Sequence, residues 1–224
     1  MDFQQRLQLL SIQFVPFVMA VVFHEFAHGF VAKRFGDKTA YDAGRMTLNP
    51  LPHIDPLGTV ILPLISMLSG ANVLFGWARP VPINPTRFKK YKPGLFWVSF
   101  AGPLMNFTLA IVSAIVFCIF QKFVPHDFFL FEPFIGMTYV SVSLNFALGI
   151  FNLVPIPPLD GSRMIEVFLS YEMSKKYEAL AQYSFYIIMA LMFTGAFSVL
   201  AIPIRILTQL TLYFFATLFG VGGI

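Results

Sequence analysis

The sequence predicts an all-α polytopic membrane protein with about five spanning helices and one re-entrant segment. Three observations carry that expectation: a scarcity of charge, a succession of long apolar stretches, and a one-sided distribution of basic residues. Of 224 residues, 57% are hydrophobic and 12% charged, whereas a soluble domain carries about 25% charged residues. So few charges cannot coat a globule of this size, and lipid must serve as solvent for much of the surface. A soluble enzyme, a nucleic-acid binder and a disordered regulator are thereby excluded. The net charge of +4 reads as topology information rather than as a nucleic-acid footprint. The single cysteine, Cys118, permits neither an internal disulfide nor a CxxC metal site.

The apolar stretches run from about Leu7 to Ala32, Leu57 to Trp77, Leu95 to Phe120, Phe134 to Leu159, Tyr183 to Ile202, and Pro203 to Phe219. Each approaches the roughly 20 residues that a spanning helix needs. The polar gaps between them are all shorter than the roughly 50 residues of a separate soluble domain. The chain therefore reads as a single membrane-embedded domain over 1–224, with a core at about 8–165 and C-terminal helices at about 166–224.

Basic residues decide which stretches cross. If the first four all cross, the charges divide five against nine. If Leu57–Trp77 dips in and returns, Lys33, Arg34, Lys38, Arg45, Arg79, Arg87, Lys89, Lys90, Lys92, Arg163, Lys175 and Lys176 share one face, against Arg6 and Lys122. The positive-inside rule favours the second layout, with the basic face cytoplasmic. Pro63, Ser66, Ser69, Gly70 and Asn72 also suit a segment that faces protein rather than lipid.

The chemistry lies in polar residues that lipid should exclude. The first stretch holds His24-Glu25-Phe26-Ala27-His28, an HExxH. On a helix, residues i and i+4 lie on one face, so two imidazoles can hold one zinc ion and the glutamate can act on a bound water. Chance occurrence is a poor account here, because burying three ionisable groups in an apolar span costs several kcal/mol unless they are ligated or paired. A zinc hydrolase needs a third protein ligand and an open position. His53, Asp55, His126, Asp127, Glu132 and Asp160 are candidates. Asp160 ends a stretch in which Pro155, Pro157 and Pro158 forbid a regular helix. Irregular backbone at membrane depth is expected where it lines a cavity. From chemistry alone, a ligand and a helix-capping Asp-Gly turn are evenly matched readings of Asp160.

HExxH early, Ala101-Gly102-Pro103-Leu104-Met105-Asn106 in the middle, and Asn152, Pro155 and Pro158-Leu159-Asp160-Gly161 later resemble the site-2 protease family of intramembrane zinc metalloproteases. The three motifs stand in the family's order and span about residues 10–165. The resemblance implies one zinc ion held by His24, His28 and Asp160, with Glu25 as catalytic acid/base. It also implies that Asn152 contacts substrate or steadies the oxyanion. Ser162 stands where the family usually has a second glycine, and the chain resembles short members without PDZ or CBS domains. The re-entrant layout agrees independently, since it places the end of the first stretch and Asp160 at the same membrane face.

The remaining polar features have plainer readings. His53 and Asp55 read better as a Pro-rich interfacial turn than as further metal chemistry. Gly76–Pro85, with Pro80 and Pro82, reads as an extended connector, with an edge for a substrate strand as the sharper alternative. Asn106 either points into the cavity or ties helices together. Lys89, Lys90 and Lys92, flanking Tyr91, suit anionic headgroups rather than nucleic acid.

The function expected is zinc-dependent cleavage of membrane-spanning or membrane-associated protein segments. It would take place in the lipid bilayer of the cell membrane, with the site opening toward the cytoplasm. A divalent-metal transporter or a non-catalytic scaffold is the alternative.

Overall fold

The computed structural model describes residues 3–69 and 76–222. Four helices in it are long and apolar enough to cross a bilayer. They belong to α1 (Phe3–Arg34), α4 (Tyr91–Phe123), α5 (Phe131–Asn152) and α9 (Ser198–Phe219). Between α1 and α4 lie the short α2 (Thr39–Asp42) and α3 (Leu62–Ser69). Between α5 and α9 lie α6 (Asp160–Glu166), α7 (Tyr171–Ala179) and α8 (Ser184–Phe193).

Helices α1, α4 and α5 pack against one another, α9 packs on α4 and α5, and α6 packs on α4. Small residues permit the closest approach. Ala110 and Ala114 of α4 meet Val142 and Phe146 of α5 and Leu212 and Ala216 of α9 in one buried cluster. Where lipid replaces water, such packing and interhelical hydrogen bonds hold helices together. The outward face of α9 exposes Val199, Ile202, Ile206, Leu210, Tyr213 and Phe214, as a lipid-facing surface should.

Direction follows from cross-links between the helix ends. Lys89 N–H donates to Phe35 O at 2.8 Å, so α4 starts where α1 ends. Lys122 Nζ donates to Phe219 O at 2.7 Å at the opposite end. The rings of Phe151 and Phe197 meet at 5.3 Å, bringing the end of α5 to the start of α9. The twelve basic residues grouped by sequence therefore gather at the face where α1 and α5 end.

The two ends of the segment expected to be re-entrant lie side by side. Pro56–Ile61 forms a wide π-type turn that leads into α3, and together they reach about 20 Å. Trp77 N–H then donates to Gly58 O at 3.2 Å, and Thr59 Oγ1 donates to Trp77 O at 2.8 Å. The chain thus returns to the point it left. Of the residues that suggested this, Gly70 and Asn72 lie outside the described residues.

One expectation is adjusted. Tyr183–Ile202 reads in sequence as a fifth spanning stretch, but α8 has only 10 residues, about 15 Å. The helix stops at Gly195, whose φ of +71° is the left-handed conformation that ends helices and favours glycine. The chain restarts at Ser198, so Pro203 falls inside α9 rather than before it.

Outside the membrane, Asp37 ties the α1 terminus to the strap that follows the re-entrant segment. Its carboxylate accepts from the hydroxyl and N–H of Thr39 and from Asn84 N–H. Burial alone would raise its pKa, yet these bonds outweigh burial and hold the carboxyl below the ordinary range.

The layout is testable by labelling single cysteines in a Cys118→Ser background with a membrane-impermeant maleimide. Cysteines replacing Lys38, Lys89 and Lys175 are expected to react from one side, and one replacing Asp127 from the other. Labelling of positions 38 and 89 from opposite sides would refute the re-entrant segment.

Candidate metal centre and catalytic cleft

His24 and His28 lie one turn apart on α1, about 15 and 9 Å in from its Arg34 end. Asp160 begins α6, after the Pro-rich segment has carried the chain back beneath α1. The side-chain atoms converge. Asp160 Oδ2 stands 3.1 Å from His24 Nε2 and 3.4 Å from His28 Nε2, and the two Nε2 atoms are 3.0 Å apart. Their ligand atoms make up a group able to hold a metal ion.

The far nitrogen of each imidazole fixes its tautomer. His28 Nδ1 lies 2.6 Å from Val98 O, a pure acceptor, so Nδ1 carries the proton. His24 Nδ1 lies 2.6 Å from Asn106 Oδ1. The Asn106 amide is oriented by its Nδ2, which donates to Asn145 Oδ1 at 2.9 Å and Ala20 O at 3.3 Å. In the neutral imidazoles both Nε2 lone pairs then face Asp160. Three lone-pair-bearing atoms facing one another, with Asp160 Oδ2 buried and without a hydrogen-bond partner, form a donor set suited to a cation. Two imidazoles and a carboxylate are ligands that zinc accepts.

Asn106 is fully buried and is not among the residues lining the cleft, which favours the second of the two roles weighed for it. It orients a histidine and ties α1, α4 and α5 together. Its network continues from Asn145 Nδ2 to Ser141 O and Oγ, and from Ser141 Oγ to Ser113 Oγ at 2.8 Å. Gly102 makes room for the histidines, since a Cβ there would stand 2.5 Å from His24 Nε2 and overlap His28 Nε2.

The donor cluster opens into a cleft of about 440 Å³, which Glu25, Asn152, Ser99 and Arg163 also line. Glu25 Oε2 accepts from Val81 N–H at 2.7 Å. Val81 belongs to the extended strap after Trp77, which Arg45 clamps by donating from Nη2 to Arg79 O at 2.8 Å and Pro80 O at 3.2 Å. Arg79 N–H in turn donates to His53 O at 2.8 Å. The connector expected at Gly76–Pro85 is thus a wall of the cleft. Asn152 reaches the cleft from the end of α5, while its Nδ2 donates to Leu148 O at 3.0 Å.

Other candidates lie elsewhere. His53 is buried beneath the strap with Nε2 donating to Thr47 O at 2.9 Å. Asp55 caps the re-entrant turn, accepting from Leu57 and Gly58 N–H, which is the turn chemistry expected of it. His126, Asp127 and Glu132 sit at the opposite membrane end, exposed. Sequence reasoning missed Arg45, Val98 O and Val81 N–H. Arg45 alone carries a side-chain signal, and in sequence it counts only as one basic residue among many.

Gly102→Ala is expected to lower bound zinc well below one ion per chain in elemental analysis of the purified protein. Asn106→Ala is expected to weaken zinc about 10–100-fold in chelator competition. Zinc content and affinity unchanged in both would overturn the geometry above.

Comparisons with known proteins bear on this cluster. Residues 129–195 match Peptidase family M50, a segment containing the end of α5 and Asp160. YwhC of Bacillus subtilis (strain 168), named as a zinc metalloprotease, is 34% identical over 84% of this chain and 83% of its own length. Rip2 of Mycolicibacterium smegmatis, named likewise, is 30% identical over 80% of this chain and 65% of its own. A zinc metalloprotease of Methanocaldococcus jannaschii is 28% identical over 75% of this chain and 36% of its own. No solved structure matches. Four membrane-length helices, a His–His–Asp donor set and a relative that aligns over most of both chains lead to one conclusion: the chain belongs to peptidase family M50, the membrane zinc metalloproteases.

Proposed function

We propose that this protein is an intramembrane endopeptidase that cleaves membrane-spanning or membrane-associated segments of other proteins, as in regulated intramembrane proteolysis. The observation that carries the reading is Glu25 in the same cleft as His24, His28 and Asp160. On this reading the three residues hold one zinc ion, which when bound supplies Lewis-acid polarisation of the scissile carbonyl and of a water. Residues at about 8–165 supply the catalytic core, and those at about 166–224 flank it.

Glu25 acts as base and then as acid. Val81 N–H holds its Oε2, and Oε1 has no partner among the described residues, which leaves it to take a proton from the attacking water. Glu25 then passes that proton to the leaving amine as the C–N bond breaks, so protons balance. Asn152, on the cleft wall, holds the substrate backbone. The cleft lies within about 15 Å of the α1 terminus, close enough for water to enter from the basic face. The positive-inside rule assigns that face to the cytoplasm of a cell membrane.

A helical substrate has to unwind at the cut, because i→i−4 hydrogen bonds lock its carbonyls. Helix-weakening residues near the scissile bond are therefore part of the proposal.

The test compares wild type, Glu25→Gln and Asp160→Asn for bound zinc and for cleavage of a membrane-helix substrate in detergent. Glu25→Gln is expected to keep zinc and lose about 10²–10⁴-fold in rate, and Asp160→Asn to lose zinc and activity together. Full activity in Glu25→Gln would sink the proposal.

A further inference from the structure

Beside the cleft lies a second, larger cavity of about 630 Å³, walled by the returning end of the re-entrant segment, the Pro-rich segment, α6, α7 and α8. Pro158 and Arg163 line both cavities, so the two share a wall at Asp160's own helix. We propose that this second cavity is a substrate subsite. It receives the unwound apolar stretch that flanks the scissile bond, with Arg163 and Glu166 engaging its exposed backbone. The inference rests on the protease reading above and names the part of the protein that would hold the substrate.

The walls argue for apolar side chains. Trp77, Phe151, Pro157, Ala181, Ile188 and Met189 offer a lining suited to residues of a membrane segment. The volume falls within the range of ligand sites, about 300–1,000 Å³, and exceeds what one side chain fills.

The polar groups argue for backbone. An unwound segment carries free carbonyls and free N–H groups, and in a site of low dielectric each needs a partner. Arg163 lies one helical turn beyond Asp160 at the junction of the cavities, and a guanidinium offers several donors to carbonyls. Glu166, one turn further into the second cavity, offers acceptors to N–H groups. Among the described residues neither side chain has a hydrogen bond or an ion pair, although both line the same cavity. Opposite charges that hold no hydrogen bond or ion pair, placed where a peptide would leave the cleft, are suited to its backbone. Continuity with the cleft selects substrate as the occupant over a lipid chain or a second copy of the protein.

The test uses the full chain carrying Glu25→Gln in detergent and a synthetic peptide. The peptide is an 18-residue leucine-rich segment with flanking lysines, a central Asn-Gly-Pro break and benzoylphenylalanine beside it. Photo-cross-links mapped by mass spectrometry are expected at Trp77, Ala181, Ile188 or Met189. Arg163→Gln is expected to lower the yield about tenfold, the loss of one charged hydrogen bond, and Arg163→Lys to restore part of it. Ala181→Trp, which fills the cavity, is expected to abolish these links while bound zinc stays unchanged. Cross-links confined to other surfaces, no cross-link at all, or a yield indifferent to both substitutions would overturn the subsite. Cleavage of the same peptide by the otherwise wild-type enzyme separates the two readings. Unchanged cleavage with Ala181→Trp sinks the subsite alone, whereas links inside the cavity without cleavage by wild type sink the protease reading alone.

Discussion

The structure depends on one electrostatic constraint: three side chains able to ligate a metal must face one another inside an apolar bundle without collapsing or escaping. An unpaired ionisable group at membrane depth costs several kcal/mol, and two neutral imidazoles facing a carboxylate through lone pairs repel without a cation. Each neighbouring feature answers that constraint. Val98 O and Asn106 take up the far imidazole nitrogens. Gly102 removes the one Cβ that would occupy the histidines' space. The Pro-rich segment brings a carboxylate from a different helix to within about 3 Å of the imidazoles. A regular continuation of α5 would instead have carried that carboxylate onward, away from α1.

The strap after Trp77 meets a second demand, a polar wall beside the cleft glutamate, Glu25. Its backbone groups cannot be satisfied by lipid, and several find protein partners: Gly58 O and Thr59 for Trp77, His53 O and Arg45 for Arg79, Glu25 for Val81. The same bonds fix Glu25. A carboxylate gripped by a backbone N–H that is itself clamped through Arg45 has little rotational freedom, which on the proposed reading suits a proton carrier between two substrate atoms.

How much of this was legible in the sequence depended on whether a side chain or a backbone atom carried the information. His24, Glu25 and His28 announce themselves by helical spacing, and the one-sided basic residues announce the re-entrant return that Trp77 and Gly58 complete. Asp160 was undecidable from local chemistry, because a ligand and a turn ask for the same Asp-Gly pair. The tertiary approach of α1, which local sequence does not carry, is what sets Asp160 beside the two imidazoles. Val98 O and Val81 N–H left no trace, since every residue but proline offers the same backbone groups. Gly195 did carry a stop signal, but in so apolar a stretch hydropathy obscured it and Tyr183–Ile202 read as one span.

The depth of the donor cluster limits the chemistry on the proposed reading. His24 and His28 sit two to three turns inside the α1 terminus, His24 near the middle of the apolar span and His28 one turn closer to the basic face. A bond presented there lies close to the face from which water enters, and fewer helical turns stand between it and the substrate's end. Unwinding a helix from an end breaks fewer hydrogen bonds than opening it in the middle, because terminal turns are already incompletely bonded. A substrate segment is therefore most readily delivered when its weak point lies within about three turns of the basic face. Segments whose helix-weakening residues sit toward the opposite face would have to shift along the membrane normal to be cut, exposing apolar residues as they do so. Depth, rather than any side-chain pocket, is then the first filter on which membrane segments this site can reach.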